Sequence, residues 1–336
     1  MTANRILYFA FFLCLAASAG LCADKDKSPS ADELISRARQ LEVRNEGAPP
    51  ISVKADLQVA NSKNGTVHGE YALVWESPQH WAETIHFSNY DRERVRDGDT
   101  IWNKGSVDFQ PFFVFQLDLL LRSRDSLTLT PTEKAKRVWK RKQGAVEEQC
   151  TEVQGPGNAE RNLCFDVNSG ALVRIEYPKE QGAFEISRTE HTDFREVGGK
   201  LIPTESYAFK GKQPILGVKV SSIGQITENL PSLKPGPGAQ PWPVCEIVTL
   251  AKLINRIAPD YPKTVRDRRE QGQVTLYVVI GTDGSPKDLH VIESAGEDLD
   301  ASATEAVRQW RYQPAMCGDT PIPAESAISV IFQLRQ

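Results

Sequence analysis

Cysteine is the residue type in this sequence whose number and spacing most directly indicate chemistry. The 336-residue chain contains six cysteines, of which Cys14 and Cys22 lie in an apolar N-terminal stretch. The remaining four are Cys150, Cys164, Cys245 and Cys317. An even number of cysteines is typical of disulfide bonding in exported proteins, and four cysteines can pair in three ways.

We predict a disulfide between Cys150 and Cys164, because they lie in strand-like runs on the two sides of a turn at residues 155–158. Cys245 would then pair with Cys317, which ties the entry of the last domain to the loop before its final strand. The alternative use of these cysteines is a metal site. No Cys-x-x-Cys spacing occurs and the five histidines are scattered along the chain, so we predict no metal and no cofactor.

Motifs for catalysis are missing from the sequence. It contains no Gly-x-Ser-x-Gly elbow, no phosphate-binding glycine loop and no His-carboxylate pair at the end of a strand pattern. We therefore do not expect an enzyme. The formal net charge is -4, and nucleic-acid binding needs a concentrated positive field, so we also exclude a nucleic-acid partner.

The N-terminal stretch, residues 1–23, has the order of a signal peptide. Arg5 is followed by an apolar run at residues 6–15 and by small residues at 16–20. The alternative is an uncleaved membrane anchor, since a span needs about 20 apolar residues. Either alternative places the rest of the chain outside the cytoplasm.

Strand patterns dominate residues 30–227. After a predicted helix at 31–41, apolar residues alternate with polar ones, first at Ile51, Val53, Ala55 and Leu57, and turn signals separate the runs. An apolar stretch at 109–121 interrupts them and suits a short helix or plug. We predict a mostly β domain, a curved antiparallel sheet or half-barrel of eight or more strands.

Residues 228–243 are rich in proline and glycine and are predicted to form a semi-extended linker that joins neither sheet nor helix. Such a linker would isolate two domains. We therefore expect residues 244–336 to fold when they are expressed alone.

Residues 244–336 are predicted to form a small α+β domain. A helical run at 263–270 precedes an alternating strand at 273–281, the hairpin turn Asp283-Gly284 and a second strand. A helix then starts near Leu299, with Asp298 or Asp300 as its N-cap. A strand at 327–334 completes a three-stranded antiparallel sheet with two helices.

This order, together with Ala258-Pro259-Asp260-Tyr261-Pro262 and Trp310-Arg311-Tyr312, resembles the C-terminal domain of the TonB family. That family passes inner-membrane energy to outer-membrane receptors. The resemblance implies a periplasmic location, or retention at the inner membrane by an uncleaved segment, and a role in transmembrane transport.

The TonB resemblance also implies a binding mode. In that family the closing strand receives an extended peptide of an outer-membrane TonB-dependent receptor, so the partner would be such a receptor or another periplasmic protein. The implied partner-binding residues are Tyr261, Pro262, Ile328, Ser329, Val330, Ile331, Phe332 and Gln333. The alternative is that the linker or a second copy of the domain covers this edge.

Residues 30–225, with Asp97-Gly98-Asp99-Thr100-Ile101-Trp102, resemble the LolA-like fold of outer-membrane lipoprotein carriers. The resemblance implies a half-barrel that binds acyl chains or a lipoprotein on its apolar face. The candidates for that groove are Trp75, Trp81, Phe87, Trp102, Phe112, Phe113, Phe115 and Leu119. The alternative is that these side chains fill a core.

A basic run surrounds Trp139. Its members are Lys136, Arg137, Lys140, Arg141 and Lys142. Such a run could lie on anionic lipid headgroups. The alternative, which we favour, is a solvated strand edge that lysine protects from aggregation.

Overall fold

The computed structural model describes residues 28–45, 47–61, 65–107, 109–155, 160–178, 186–227, 233–241 and 248–334. The predicted signal segment, residues 1–23, lies outside the described residues. No helix within these ranges is long and apolar enough to cross a membrane.

Four α-helices and a 3-10 helix are present in the described ranges. The helices are α1 Ala31–Leu41, α2 Phe112–Leu121, α3 Lys263–Asp267 and α4 Glu297–Arg308, and the 3-10 helix is Ser123–Leu127. The predicted helix at 31–41 is confirmed. Ser30 and Glu33 form a capping box at its start, because the Glu33 backbone N–H donates to Ser30 Oγ and the Ser30 N–H donates to Glu33 Oε2.

The strands of the first domain are β1 Ile51–Asn61, β2 Gly65–Ser77, β3 His80–Phe87, β4 Tyr90–Asp97, β5 Thr100–Gly105, β6 Lys134–Gln143, β7 Val146–Gln154, β8 Glu160–Asp166, β9 Leu172–Glu176, β10 Arg188–Val197, β11 Lys200–Lys210, β12 Gln213–Gln225 and β13 Gln240–Pro241. Among the described residues they form one open antiparallel sheet of thirteen strands, in the order β13-β5-β4-β3-β2-β1-β12-β11-β10-β9-β8-β7-β6. The predicted mostly β first domain is confirmed.

One expectation about the linker is wrong. Gln240 and Pro241 do join a sheet, where they pair with Asn103 and Trp102 of β5. Proline has no backbone N–H, so it is tolerated at the edge of a sheet but not at its centre. The pair adds the outermost strand at one end of the first sheet.

Helix α2 is apolar apart from Gln116 and Asp118, and it is covered on two sides. Val114, Leu117 and Leu120 are buried in the core that β1, β2 and β3 form. On the opposite side, Phe112 and Phe115 pack with residues of the C-terminal domain. A helix that is apolar all round is expected to be buried in this way.

The strands of the second domain are β14 Val248–Thr249, β15 Lys252–Asn255, β16 Gly272–Ile280, β17 Pro286–Glu293, β18 Arg311–Gln313, β19 Ala315–Cys317, β20 Thr320–Ile322 and β21 Ala324–Phe332. β17, β16 and β21 form the predicted three-stranded antiparallel sheet. The α+β fold of this domain is confirmed. Two small sheets, β15-β18 and β14-β19-β20, were not predicted.

Helix α4 packs on one face of the three-stranded sheet. Its residues Leu299, Ala303 and Val307 share a core with β16 and β21. The predicted N-cap is wrong, because Gly296 occupies that position and no side chain caps the helix. Asp300 instead accepts hydrogen bonds from the Ser294 hydroxyl and the Ala295 backbone N–H.

The predicted turn at Asp283-Gly284 joins β16 to β17. Gly284 has a φ of 74°, which glycine adopts without strain. A Cβ at this position would lie 1.9 Å from the Tyr312 carbonyl oxygen. Since the Tyr312 N–H donates to the Gly284 oxygen at 2.8 Å, the turn also fixes β18 against the domain.

Candidate functional site

The closing strand β21 lies at an edge of the three-stranded sheet. It pairs with β16 along its length, from Ala324 opposite Ile280 to Phe332 opposite Gly272. Within the described part of the chain, no strand pairs with its other side. The backbone groups on that side are therefore oriented to accept an added strand.

The described part of the linker does not cover this edge. Residues 233–241 end in β13, which pairs with β5 of the other sheet. The linker and a second copy of the domain are the two alternatives for covering the edge of β21. The described part of the linker lies elsewhere.

The side chains of β21 alternate between the core and solvent, as the two-residue period of a strand requires. Val330 and Phe332 are buried against α4, and Ile328 packs beside them. Ser329 is exposed, and Ile331 is 57% exposed. The strand is therefore anchored through one face, while its edge and part of its other face remain accessible.

The other implied binding residues do not lie together at the free edge. Tyr261 packs on the buried face of β21, with its ring 5.5 Å from Phe332 in an edge-on contact, and its hydroxyl donates to the Glu270 carbonyl oxygen. Pro262 is the N-cap of α3. Gln333 follows the strand and is exposed. Their roles in binding stay predictions.

A polar network crosses the outer face of the sheet beside β21. Gln273 Nε2 donates to Ser329 Oγ at 3.2 Å, and Thr275 Oγ1 donates to Glu293 Oε2 at 2.6 Å. These bonds link all three strands. The edge is thus presented as an ordered strand whose register is held by side chains as well as by the backbone.

The centre of the same outer face is covered by α2. The Phe112 ring lies 4.7 Å from Tyr277 and 4.4 Å from His290, between ring centroids. The Phe115 ring lies 5.8 Å from Tyr277. Burial, with the nearby Glu325 carboxylate, raises the pKa of the Tyr277 phenol. A partner can therefore approach β21 along its edge but not through the face above Tyr277.

Helix α2 is also tied to the first sheet by ion pairs. Asp118 lies 2.6 Å from Arg92 and 3.1 Å from Arg94, measured between carboxylate oxygens and guanidinium nitrogens. Burial opposes ionisation of Asp118, but the hydrogen bond and charge of Arg92 hold the pKa of that carboxyl below its usual range. One short helix thus contacts both sheets.

The structure does not gather the groove candidates on one open surface. Trp75, Trp81 and Phe87 are buried in the core of the first domain. Phe113 packs edge-on against Phe87 at 5.2 Å, whereas Phe112 and Phe115 face the C-terminal domain. Trp102 is half-buried on β5, and Leu119 packs against the first core. Acyl-chain binding by this set stays a prediction.

The disulfide between Cys150 and Cys164 is confirmed. The two residues are direct partners on β7 and β8. Cys317 is disulfide-bonded as well. Its predicted partner, Cys245, lies outside the described residues, so that pairing stays a prediction.

In the described ranges, one group of side chains lies close enough together to hold a metal ion: Glu148, Cys150 and Cys164. The disulfide explains why the two cysteines are close. Zinc binds thiolates, and two sulfurs joined to each other offer none. The Glu148 carboxylate instead pairs with Arg141 at 2.7 Å.

The basic run lies on β6, the strand at the opposite end of the first sheet from β13. Lys136, Lys140 and Lys142 are exposed, and the Arg137 guanidinium lies 4.9 Å from the Trp139 ring centroid. Its position at a sheet edge favours the protective role over headgroup binding.

Sequence reasoning missed two features of the molecule. It did not predict that Phe112 and Phe115 contact the second domain, although the apolar run at 109–121 was the available signal. It also missed Arg44, which points into a cavity, because an isolated arginine after a helix carries no pattern.

Residues 257–334 match the protein family described as Gram-negative bacterial TonB protein C-terminal. The resemblance of the last domain to the TonB family is thereby confirmed. Protein tonB2 of Pseudomonas aeruginosa is 34% identical over 85 residues, which cover 25% of this chain and 32% of that protein. Protein TonB of Vibrio cholerae serotype O1 is 30% identical over 85 residues, which cover 25% and 35%. The chain thus spans about a third of the length of these TonB relatives.

Solved structures show likenesses for both parts. The solution NMR structure of the Pseudomonas aeruginosa TonB C-terminal domain is 24% identical and covers 26% of this chain and 88% of that chain, with a TM-score of 0.23. A LolA superfamily protein from Nitrosomonas europaea is 12% identical and covers 61% of this chain and 96% of that chain, with a TM-score of 0.42.

Proposed function

We propose that this protein is a periplasmic binding adaptor. Its TonB-like domain would capture an extended segment of an outer-membrane receptor, or of another exported protein, by adding that segment as a strand beside β21. The observation that carries this proposal is that no second strand pairs with β21 in the described part of the chain, in a domain that matches the TonB C-terminal family.

The composition of the edge supports strand addition. Residues 326–334 contain no charged residue and no proline. Proteins usually protect a long edge strand with lysine, proline or a bulge, because bare backbone groups pair with other chains. An edge without these devices is suited to a partner that pairs through its backbone.

Energy transduction depends on what happens to residues 1–23. A retained segment would anchor the chain in the inner membrane, where it could transmit force, whereas a cleaved segment would leave an adaptor that only binds. We propose cleavage. Mass spectrometry of the mature protein tests this, since an intact N-terminus would contradict it and favour the transducing role.

A lipid or lipoprotein carrier is the alternative function, and it has less support. The first domain has cavities of about 50 and about 70 Å³ in its described part. Pockets for ligands of drug size enclose roughly 300 Å³ or more. An acyl chain would therefore require the core around α2 to open.

Proline substitution in β21 tests strand addition. The N–H groups of consecutive strand residues point to opposite sides, so one of Val330 and Ile331 donates towards β16 and the other towards the free edge. Proline removes the N–H group. One of Val330→Pro and Ile331→Pro should unfold the domain, and the other should keep its fold.

The folded proline variant should bind synthetic peptides from the N-terminal segments of outer-membrane receptors about tenfold more weakly, as expected for the loss of a backbone hydrogen bond. Alanine at the same position keeps the N–H, so it is the matched control and should bind more tightly than the folded proline variant. If the folded proline variant binds these peptides as tightly as the parent does, strand addition beside β21 is wrong.

A further inference from the structure

Two adjoining cavities lie inside the first domain, away from β21. The inner cavity has a volume of about 50 Å³, and its wall includes Val53, Ala55, Leu73, Leu120 and Val218. The outer cavity has a volume of about 70 Å³ and a mainly polar wall, which includes Arg39, Glu42, Asn45 and Asp125. Arg44, Leu121 and Arg124 line both cavities. Together they form a mainly apolar cavity that adjoins a mainly polar one.

Arg44 lies at the junction of the two cavities and is incompletely paired. Its Nη2 donates to the Tyr71 hydroxyl at 2.9 Å. Its Nε is buried and has no hydrogen-bond partner among the described residues. Arg124 differs, because it forms an ion pair with Glu42 at 2.9 Å. For Arg44, the described residues offer no carboxylate within ion-pair distance.

Apart from Arg44 and the ion-paired Arg124, His191 and the two serines bonded to it are the polar groups that matter at the inner cavity, and they are neutral. His191 Nε2 is bonded to Ser123 Oγ at 3.1 Å, and Nδ1 is bonded to Ser206 Oγ at 2.9 Å. Burial lowers the pKa of His191 to about 3, so the ring is uncharged near neutral pH.

Burial opposes the charge of Arg44, but Tyr71 and the carboxylates of Glu83, Asp125 and Glu42 raise its pKa. Among the described residues, Arg44 is thus the cation of these cavities that contacts no carboxylate directly and keeps a buried N–H unbonded.

A buried guanidinium N–H without an acceptor is costly, and a carboxylate can accept hydrogen bonds from two guanidinium N–H groups side by side. We propose that the two cavities bind a small aliphatic carboxylate. Its carboxylate accepts hydrogen bonds from Arg44, including one from the free Nε, and its tail occupies the inner cavity. This site is independent of strand addition beside β21.

The volume of the inner cavity limits the tail. An apolar cavity of about 150 Å³ holds one benzene molecule, and the inner cavity, at about 50 Å³, is much smaller. A tail of a few carbons fits, whereas a longer chain must displace Leu120 or Leu121 of α2. Butanoate therefore combines the required charge with a tail of suitable size.

Titration calorimetry of the full-length mature protein tests this proposal with acetate, butanoate, octanoate and butanol. Butanoate should bind at least tenfold more tightly than acetate, which lacks the tail, and than butanol, which lacks the charge. Octanoate should bind more weakly than butanoate. Butanol binding as tightly as butanoate, or no butanoate binding at all, would overturn the proposal.

Two variants locate the site. Arg44→Met removes the charge and keeps the length of the side chain, so butanoate affinity should fall at least tenfold. Arg37→Met makes the same change at an exposed position of α1, outside both cavities, and should leave affinity unchanged. Unaltered butanoate binding by Arg44→Met would overturn the assignment.

Ala55→Val keeps the test decisive if Arg44→Met does not fold. Ala55 is buried on β1 and lines the inner cavity. Two added methyl groups leave Arg44 unchanged and take the space of the tail. Butanoate should then bind no more tightly than acetate, and a preserved preference for butanoate would place the tail elsewhere and refute the proposal.

Discussion

The edge strands of the two main sheets of this protein differ in how they are protected. In the first sheet, β5 is covered by Gln240 and Pro241, and the outer strand β6 carries exposed Lys136, Lys140 and Lys142. In the second sheet, β21 presents neither proline nor charge over residues 326–334. The other edge of the second sheet, β17, contains Pro286 and Lys287. Edge protection costs a protein little, so its presence at these other edges and its absence from residues 326–334 support a binding role for β21.

The faces of the two sheets sharpen this contrast. In β16 both faces are buried, because α4 covers Val274, Leu276 and Val278, while α2 covers Tyr277 and Val279. Edge pairing is therefore the route by which the second sheet can extend. Helix α2 of the first domain blocks the other route, which is stacking on the face above Tyr277.

The largest effect on stability should come from truncating a buried side chain of β21, in comparison with truncating an exposed one. Phe332→Ala removes a ring that is buried against α4 and Tyr261, and large-to-small changes of this kind cost about 3–5 kcal/mol. Ile331→Ala, one residue away at an exposed position, should change stability by less than about 0.5 kcal/mol. Urea unfolding of both variants measures the difference. Equal losses would show that both faces of β21 are covered.

The next effect concerns the contact between the two sheets. Phe112→Ala removes the contacts of the Phe112 ring with Tyr277 and His290. We expect it to lower the free energy of unfolding by about 3 kcal/mol, as for other buried phenylalanines. Hydrogen exchange should locate the loss in β16 and β17 as well as in α2. The Phe113 ring faces Phe87 and the first core instead. Phe113→Ala is therefore the control, and it should leave the hydrogen exchange of β16 unchanged.

The same contact bears on the expectation that residues 244–336 fold alone. That expectation stays a prediction. The fragment would expose Tyr277 and Val279, which are buried in the whole chain. We expect the fragment to fold with lower stability than the same region of the full chain, and Phe112→Ala should reduce the difference between them.

Acid should destabilise the first sheet through His191. Burial lowers its folded pKa to about 3 from the ordinary 6.5, so between these values the unfolded chain binds the proton and the folded chain does not. The stability that neutral, buried His191 contributes is therefore fully present above pH 6.5, and it is lost as the pH falls from 6.5 towards 3. Two pH units below the unfolded pKa, the loss should be about 2–3 kcal/mol.

Urea unfolding at pH 7 and pH 4.5, followed by hydrogen exchange of β10 and β11, measures this loss. His191→Gln removes the titrating group and should flatten the dependence between these two pH values. A parent protein with the same pH dependence as His191→Gln would contradict the assignment to this histidine.

Local patterns predicted most of this fold, and contacts between distant segments account for what they missed. Alternation predicted the strands around Leu57 and Val274, and a turn between two strand-like runs predicted the Cys150–Cys164 bond. Pairing of Pro241 with Trp102 depends on where a sheet edge lies in space, which no local period encodes. The same applies to Phe112, a candidate for the lipid groove that contacts Tyr277 and His290, and to Arg44, whose significance comes from the cavity around it.

The smallest effect on stability, and the most direct comparison of the two edges, comes from the lysines of β6. Lys140→Thr removes one charge from an edge strand and retains strand propensity, so stability should change by less than about 0.5 kcal/mol. Self-association should nevertheless increase, because the edge loses part of its protection. Lys54→Thr removes the same charge from β1, which pairs on both sides with β2 and β12, and should leave association unchanged. Sedimentation velocity compares the two variants over a concentration series. Equal association would show that the position of lysine on the first sheet is not protective. The contrast with β21, which carries no charge over residues 326–334, would then no longer support a binding role.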